Sequence, residues 1–121
     1  MMKKIIALIA TLGLTIGLST VFAGEGDLAK GVTTFKSKCA YCHSLIVQDK
    51  KISSATSGPD LTGIASVRPN EYLRIYMVNP DKGRKDFKDI YEKELKGKYN
   101  MKMPRIALSD ADIDNIIATL K

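Results

Sequence analysis

Residues 39–43 read Cys-Ala-Tyr-Cys-His, and this stretch holds both cysteines and the only histidine of the 121-residue chain. The thiols of Cys39 and Cys42 lie about one helical turn apart, so both sulfurs can bond to one side of a flat macrocycle. His43 follows immediately and can direct its imidazole at a metal held in the ring. The spacing therefore predicts covalent attachment of a c-type haem, with His43 as the proximal iron ligand.

Three other interpretations of this pentapeptide are weaker. A thioredoxin-like Cys-x-x-Cys site requires a βαβ context, and no parallel-strand pattern precedes Cys39. A structural zinc site needs four ligands, whereas the chain has only three Cys or His residues, too close together to close a tetrahedron. A disulfide between Cys39 and Cys42 would leave His43 without a role.

The start of the sequence predicts export. Lys3 and Lys4 precede an apolar run over residues 5–16, and small residues then lead to Ala23. This is the pattern of a secretory signal peptide over residues 1–23, with cleavage near Ala23. The alternative is an uncleaved membrane anchor, which the glycine, serine and threonine residues of the run disfavour. Residues 24–121 then form a single domain.

Composition limits the partners of that domain. Without Lys3 and Lys4 the chain has 17 basic and 13 acidic side chains, a formal charge of +4, against +6 for the whole sequence. No basic stripe with interleaved aromatics is present, so we expect an acidic protein partner and no nucleic acid. A domain of this size has a marginal apolar core, which a buried haem would complete.

Two terminal helices are predicted. Asp27 is a good N-cap for a helix that runs into Cys39, and Gly31 inside it suggests a close helix crossing, since glycine there costs about 1 kcal/mol relative to alanine. Ser109 and Asp112 form a capping-box pattern before the final helix. The apolar stripe of that helix consists of Ile113, Ile116, Ile117 and Leu120.

The middle of the chain predicts two further helices and no strand. One spans residues 69–78 and ends at Asn79-Pro80, and a short amphipathic helix with a solvated charged face lies within residues 82–99, ending near Gly97. We expect residues 44–57 to be polar and irregular, with a flexible surface loop at 53–57. The predicted fold class is all-α.

The sixth iron ligand is constrained by elimination. No second histidine exists, so the candidates are methionine, lysine, the N-terminal amine, tyrosine, water or no ligand. Met77 lies in a predicted helix, where methionine is usually core. Met101 and Met103 lie in an irregular segment, and Pro104 biases Met103 towards extended backbone, so we predict Met103. A His/Met pair raises the reduction potential and leaves no open position at iron, which favours electron transfer over enzymatic catalysis.

The chain from residue 24 onwards resembles class I cytochromes c. The resemblance rests on the 39–43 motif, on Gly31 and Phe35 before it, on Gly58-Pro59-Asp60-Leu61, and on Met103-Pro104 before the last helix. It implies three to five helices wrapped around one covalently attached haem. It further implies that the Pro59 carbonyl accepts a hydrogen bond from His43 Nδ1, and that haem is attached outside the bacterial inner membrane, in the periplasm. Without a tryptophan, Arg68, Tyr72 or Tyr76 remains as a candidate partner for a haem propionate.

The resemblance also implies a function. We expect a monomeric periplasmic carrier of single electrons between a respiratory complex and an oxidase or reductase, touching the membrane only through such partners. Basic residues near the haem motif and the methionine segment are candidates for a docking rim: Lys36, Lys38, Lys50, Lys51, Lys102 and Arg105. An alternative is the monohaem subunit of a sulfur-oxidising cytochrome complex, which residues 73–74, 79–80, 103–104 and 118–121 weakly resemble. A third is a peroxidase or gas-binding protein with a vacant sixth position.

Overall fold

The computed structural model describes residues 26–99 and 101–121, so the predicted signal peptide lies outside the described residues. The elements are α1 (Leu28–Lys38), β1 (Ser44–Val47), β2 (Lys50–Ser54), a 3₁₀ turn (Ile64–Ser66), α2 (Asn70–Val78), α3 (Pro80–Asp86), α4 (Lys88–Ile90), a π-helical turn (Tyr91–Leu95) and α5 (Asp110–Thr119). Within the described ranges no helix is long and apolar enough to cross a membrane.

The first predicted helix is confirmed. The Asp27 carboxylate accepts a hydrogen bond from the backbone N–H of Lys30, which satisfies one of the unpaired donors at the start of α1. At the other end, the N–H of Cys39 bonds the carbonyl of Phe35 at 2.8 Å. The helix therefore delivers the chain directly to residues 39–43.

The final helix is also confirmed. Ser109 Oγ accepts from the N–H of Asp112, and the Asp112 carboxylate accepts from the N–H of Ser109, each at 3.0 Å, which completes a capping box. The predicted apolar stripe of α5 is buried, with each member no more than 2% exposed: Ile113, Ile116, Ile117 and Leu120.

The two terminal helices cross at Gly31, as predicted. A Cβ at this position would overlap the backbone carbonyl oxygen of Asn115 and lie 2.7 Å from Cγ2 of Thr119. The Asn115 side chain also accepts a hydrogen bond from the N–H of Asp27 at 2.7 Å. The crossing shields Phe35, which is fully buried. A glycine in α1 is therefore explained by the closeness of α5.

The predicted third helix is confirmed as α2, and Asn79 ends it. The Asn79 side chain accepts from the N–H of Lys82, so Pro80 opens α3 at the N1 position, where its missing N–H costs nothing. The prediction of a single amphipathic helix within residues 82–99 was wrong. Phe87 leaves helical geometry with φ −117° and ψ 46°, and its ring packs edge-on against Tyr72 at 4.9 Å between centroids.

The expectation of an irregular, strand-free segment at 44–57 was wrong in most of its length. β1 and β2 form an antiparallel hairpin, whose turn residues Gln48 and Asp49 both have positive φ, 49° and 64°. Leu45 and Val47 on β1 are buried in the core. Across residues 26–99 and 101–121, a two-stranded sheet thus accompanies five α-helices, within the predicted three to five.

Candidate haem attachment site

The predicted attachment residues form one tight turn at the end of α1. The N–H groups of Cys42 and His43 both bond the carbonyl oxygen of Cys39, at 3.1 and 3.0 Å. Both thiols are free, Cys39 buried and Cys42 half-buried. Burial is the main cause that raises the pKa of Cys39 to about 11, Cys42 adds to it, and the positive charge of Lys38 opposes it. The Cys39 thiol is therefore protonated at neutral pH.

A side-chain hydrogen bond from β2 holds this turn in place. Ser53 Oγ donates to the carbonyl oxygen of Ala40 at 2.7 Å. Sequence reasoning missed Ser53, since it placed this serine in a flexible loop. The signal would have been the apolar side chains two positions apart at Leu45 and Val47. This spacing is typical of a strand with one buried face, and that strand belongs to the hairpin that carries Ser53.

The His43 ring is fixed by the loop at residues 58–61. Nδ1–H of His43 donates to the carbonyl oxygen of Pro59 at 2.8 Å, so the lone pair of the neutral ring lies on Nε2. Burial lowers the pKa of His43, and the hydrogen bond to Pro59 partly opposes that effect. A neutral imidazole with a free Nε2 is the form that ligates iron.

Gly58 allows the ring and the loop to meet. Its N–H bonds the carbonyl oxygen of Cys42 at 2.6 Å. A Cβ at this position would lie 2.7 Å from Cε1 and 2.9 Å from Nδ1 of His43, closer than side chains pack. The sequence placed Gly58 in a turn but gave no sign that it is packed against the imidazole.

Asp60 and Thr62 tie the same loop to the hairpin. The Asp60 carboxylate accepts from both N–H and Oγ1–H of Thr62, at 3.0 and 2.8 Å, and these bonds lower the pKa of Asp60. Thr62 Oγ1 in turn accepts from the N–H of Ile46 at 2.9 Å. These contacts hold the loop that carries Pro59 to the strand that follows His43.

The candidate sixth ligand lies on the irregular segment before α5. Met103 is half-buried, Met101 is 59% exposed, and Met77 is buried in the core on α2. The burial of Met77 fits its expected packing role. The partial burial of Met103 suits a side chain that reaches inward, and its assignment to iron stays a prediction.

The three candidate propionate partners differ in their contacts. The Arg68 guanidinium pairs with Glu94 and lies over the Tyr72 ring at 5.6 Å from its centroid. The Tyr76 hydroxyl is buried and has no hydrogen-bond partner among the described residues. Burial raises the pKa of Tyr76 to about 12, so it stays a protonated donor at neutral pH. Tyr76 is therefore the candidate with a free hydrogen to offer a buried acceptor.

The residues fit a covalently attached haem. Two free thiols, an imidazole with Nε2 available, a glycine that leaves room for that imidazole, and an unpaired buried hydroxyl are the features such a group requires. In the described part of the chain, no group of three Cys, His, Asp or Glu side chains is arranged to hold a bare metal ion.

Comparisons with known proteins identify the family. The family model for cytochrome c matches residues 28–121. A cytochrome c of Theileria annulata is 34% identical, over 50% of this chain and 65% of that protein. A cytochrome c of Theileria parva is 33% identical, over 46% and 62%. The chain thus spans just under two thirds of the length of these curated relatives.

A solved structure confirms the predicted fold. Cytochrome c2 from Rhodobacter sphaeroides matches with a TM-score of 0.57 at 23% identity, covering 79% of this chain and 94% of the other. The chain belongs to the cytochrome c family, and this membership implies a haem c.

Proposed function

We propose that this protein is a periplasmic carrier of single electrons, with one haem c attached through Cys39 and Cys42 and its iron held between His43 and Met103. The hydrogen bond from His43 Nδ1 to the Pro59 carbonyl carries the proposal, because it presents Nε2 as a ready-oriented ligand. A haem bound there would supply a one-electron ferric/ferrous couple.

The protein residues would set the character of that couple. The Pro59 carbonyl increases the basicity of the His43 ring, and the loop around Gly58 prevents the ring from turning. Met103 would contribute a soft thioether, which favours the ferrous state and raises the potential. With His43 and Met103 both holding the iron, no substrate would reach the metal, and the chemistry supplied would be electron exchange alone.

Unpaired positive charge supports an acidic partner. The six basic residues of the predicted rim are exposed, and in the described part of the chain none of them forms an ion pair: Lys36, Lys38, Lys50, Lys51, Lys102 and Arg105. The charged segment over residues 80–99 is partly neutralised by its own ion pairs, including Lys82 with Asp86 and Arg84 with Asp81, although four of its lysines form none within the described residues: Lys85, Lys93, Lys96 and Lys98. The rim is preferred for steering a partner because its residues lie near the haem motif and the methionine segment in the sequence.

The proposed compartment follows from the predicted signal peptide over residues 1–23. Its removal would leave a soluble domain from residue 24, whereas retention would tether the same domain to the membrane. The N-terminal residue of the mature protein, read by sequencing or intact mass, distinguishes the two.

Stopped-flow reduction tests the electron-carrier function. The ferric protein is mixed with the native membrane fraction and a quinol, with ascorbate as a partner-independent reductant. We expect reduction through the membranes that slows as ionic strength rises, while ascorbate reduces the protein at any salt concentration. Reduction by ascorbate but not by the membranes, or a rate indifferent to salt, would contradict the proposal.

A further inference from the structure

Tyr41 is unlike every other aromatic side chain in residues 26–99 and 101–121. It is 88% exposed, whereas Phe35 is fully buried, Tyr72 is 8% exposed, and the remaining aromatic residues of these ranges are half-buried. An exposed tyrosine leaves a large apolar ring in water, a state that association with a partner relieves. Tyr41 also lies between the two attachment cysteines, on the turn that would carry the haem.

The backbone beneath Tyr41 is held rigidly. The carbonyl of Ala40 is bonded by Ser53, and the N–H of Cys42 bonds back to Cys39. Thioether bonds at Cys39 and Cys42 would fix the turn further. The ring is thus presented on a fixed support, so little conformational entropy is lost when a partner covers it.

Exposed lysines lie on the two elements next to this turn, α1 and β2. Lys36 and Lys38 occupy the last turn of α1, and Lys51 lies on β2, the strand that Ser53 ties to the turn. All three are exposed and unpaired within the described residues. Lys38 directly precedes Cys39 in the chain, which places it beside the attachment site.

We propose that Tyr41 is the apolar anchor of the surface on which electron partners dock. This inference rests on the proposed electron-carrier function. The partner it fits is a redox protein whose electron-exchange site lies in an apolar patch bordered by carboxylates. Those carboxylates meet Lys36, Lys38 and Lys51, while the patch covers the Tyr41 ring and excludes water from the contact. A haem held at Cys39, Cys42 and His43 would accept one electron from the reduced partner, which would be oxidised by one electron.

The test compares variants of the full haem-loaded protein in stopped-flow reduction by quinol-supplied native membranes. Tyr41→Ala removes the ring, Tyr41→Gln replaces it with a polar chain, and Tyr41→Phe retains it. Val78→Ala is the matched control, since Val78 is 58% exposed at the far end of α2. Lys38→Ala removes a positive charge but keeps the Tyr41 ring. It therefore separates the effect of electrostatic attraction on the rate from the effect of the ring contact. Reduction potential and thermal unfolding are measured for each variant.

We expect Tyr41→Ala and Tyr41→Gln to lower the second-order rate constant about tenfold at every ionic strength, with an unchanged potential. Tyr41→Phe and Val78→Ala should resemble the parent, and Lys38→Ala should reduce the salt dependence instead. If Tyr41→Ala and Tyr41→Gln are reduced at the same rate as the parent, Tyr41 is not the docking anchor. The electron-carrier function would be unaffected by that result. If ascorbate reduces every variant and the membranes reduce none, both the Tyr41 anchor and the electron-carrier function are contradicted.

Discussion

The carbonyl oxygen of Pro59 lies 2.8 Å from Nδ1 of His43, although 16 positions separate the two residues in the chain. This contact converts a five-residue motif into an oriented ligand site, because it fixes both the tautomer and the plane of the ring. The bond depends on the close packing of the loop against the imidazole at Gly58. Substitutions outside residues 39–43 should therefore alter the His43 site.

The Gly58→Ala variant should disturb the proximal ligand. Its Cβ would lie 2.7 Å from Cε1 of His43, so the ring or the loop must shift and the bond to Pro59 lengthens. We expect a loss of about 1–3 kcal/mol in unfolding free energy and a changed reduction potential. Denaturant unfolding and a redox titration measure these, with the neighbouring exposed Ser57→Ala as control. Identical behaviour of the two variants would show that the loop does not position His43.

The two methionines of the 101–103 segment should behave differently. Ferric His/Met haem has a weak near-infrared charge-transfer band, so Met103→Ala should abolish this band while exposed Met101→Ala keeps it. Met103→Ala should also bind carbon monoxide rapidly in the ferrous form, since a coordination position becomes free. Near-infrared absorption spectra of both ferric variants test this assignment. Loss of the band in Met101→Ala alone would show that Met101 is the ligand instead of Met103.

The helix crossing should not tolerate a methyl group at Gly31. In an isolated helix Gly→Ala stabilises by about 1 kcal/mol, but here the Cβ would overlap the Asn115 carbonyl. A backbone atom cannot move aside as a flexible side chain can. We therefore expect a net destabilisation of about 1–3 kcal/mol in denaturant unfolding. Thr33→Ala, an exposed substitution on the same helix, is the control and should have little effect. A Gly31→Ala protein more stable than the parent would refute the close crossing.

The capping box should make the stability of α5 depend on acid pH. Hydrogen bonds from Ser109 lower the folded-state pKa of Asp112, so its ionised form stabilises the fold above the unfolded pKa of about 3.8. That contribution is lost as the pH falls through the lower folded value. We therefore expect Asp112→Ala to be less stable than the parent at pH 7, with the difference shrinking at pH 3.

Two further variants complete this test by urea unfolding. Asp110→Ala, in the same first turn, removes a carboxylate that does not bond Ser109, and its effect should be smaller. Ser109→Ala should cost about 1 kcal/mol through loss of the N-cap. A difference between parent and Asp112→Ala that stays constant from pH 7 to pH 3 would contradict the role of the ionised carboxylate.

Local chemistry made the two terminal helices predictable. Asp27, Ser109 and Asp112 are caps whose side chains act within one turn, and Gly31 is costly in a helix unless a neighbour demands it. The same reasoning located residues 39–43 at the end of α1. These signals need no knowledge of distant contacts.

Tertiary contacts decided what the sequence could not predict. The hairpin turn at Gln48-Asp49 lacks the glycine that usually marks positive φ, and its strands are short. The helix break at Phe87 coincides with a ring contact to Tyr72, which lies 15 positions earlier in the chain. The contacts of Gly58 and Ser53 with the site likewise depend on the folded loop and hairpin.

Intact mass of the denatured protein after acid–acetone extraction shows whether the haem is covalently bound. We expect the mature polypeptide to keep its colour and to carry one additional haem mass, which tryptic digestion maps to the peptide with Cys39 and Cys42. A colourless polypeptide of unmodified mass, with the pigment in the acetone phase or absent, would contradict this expectation.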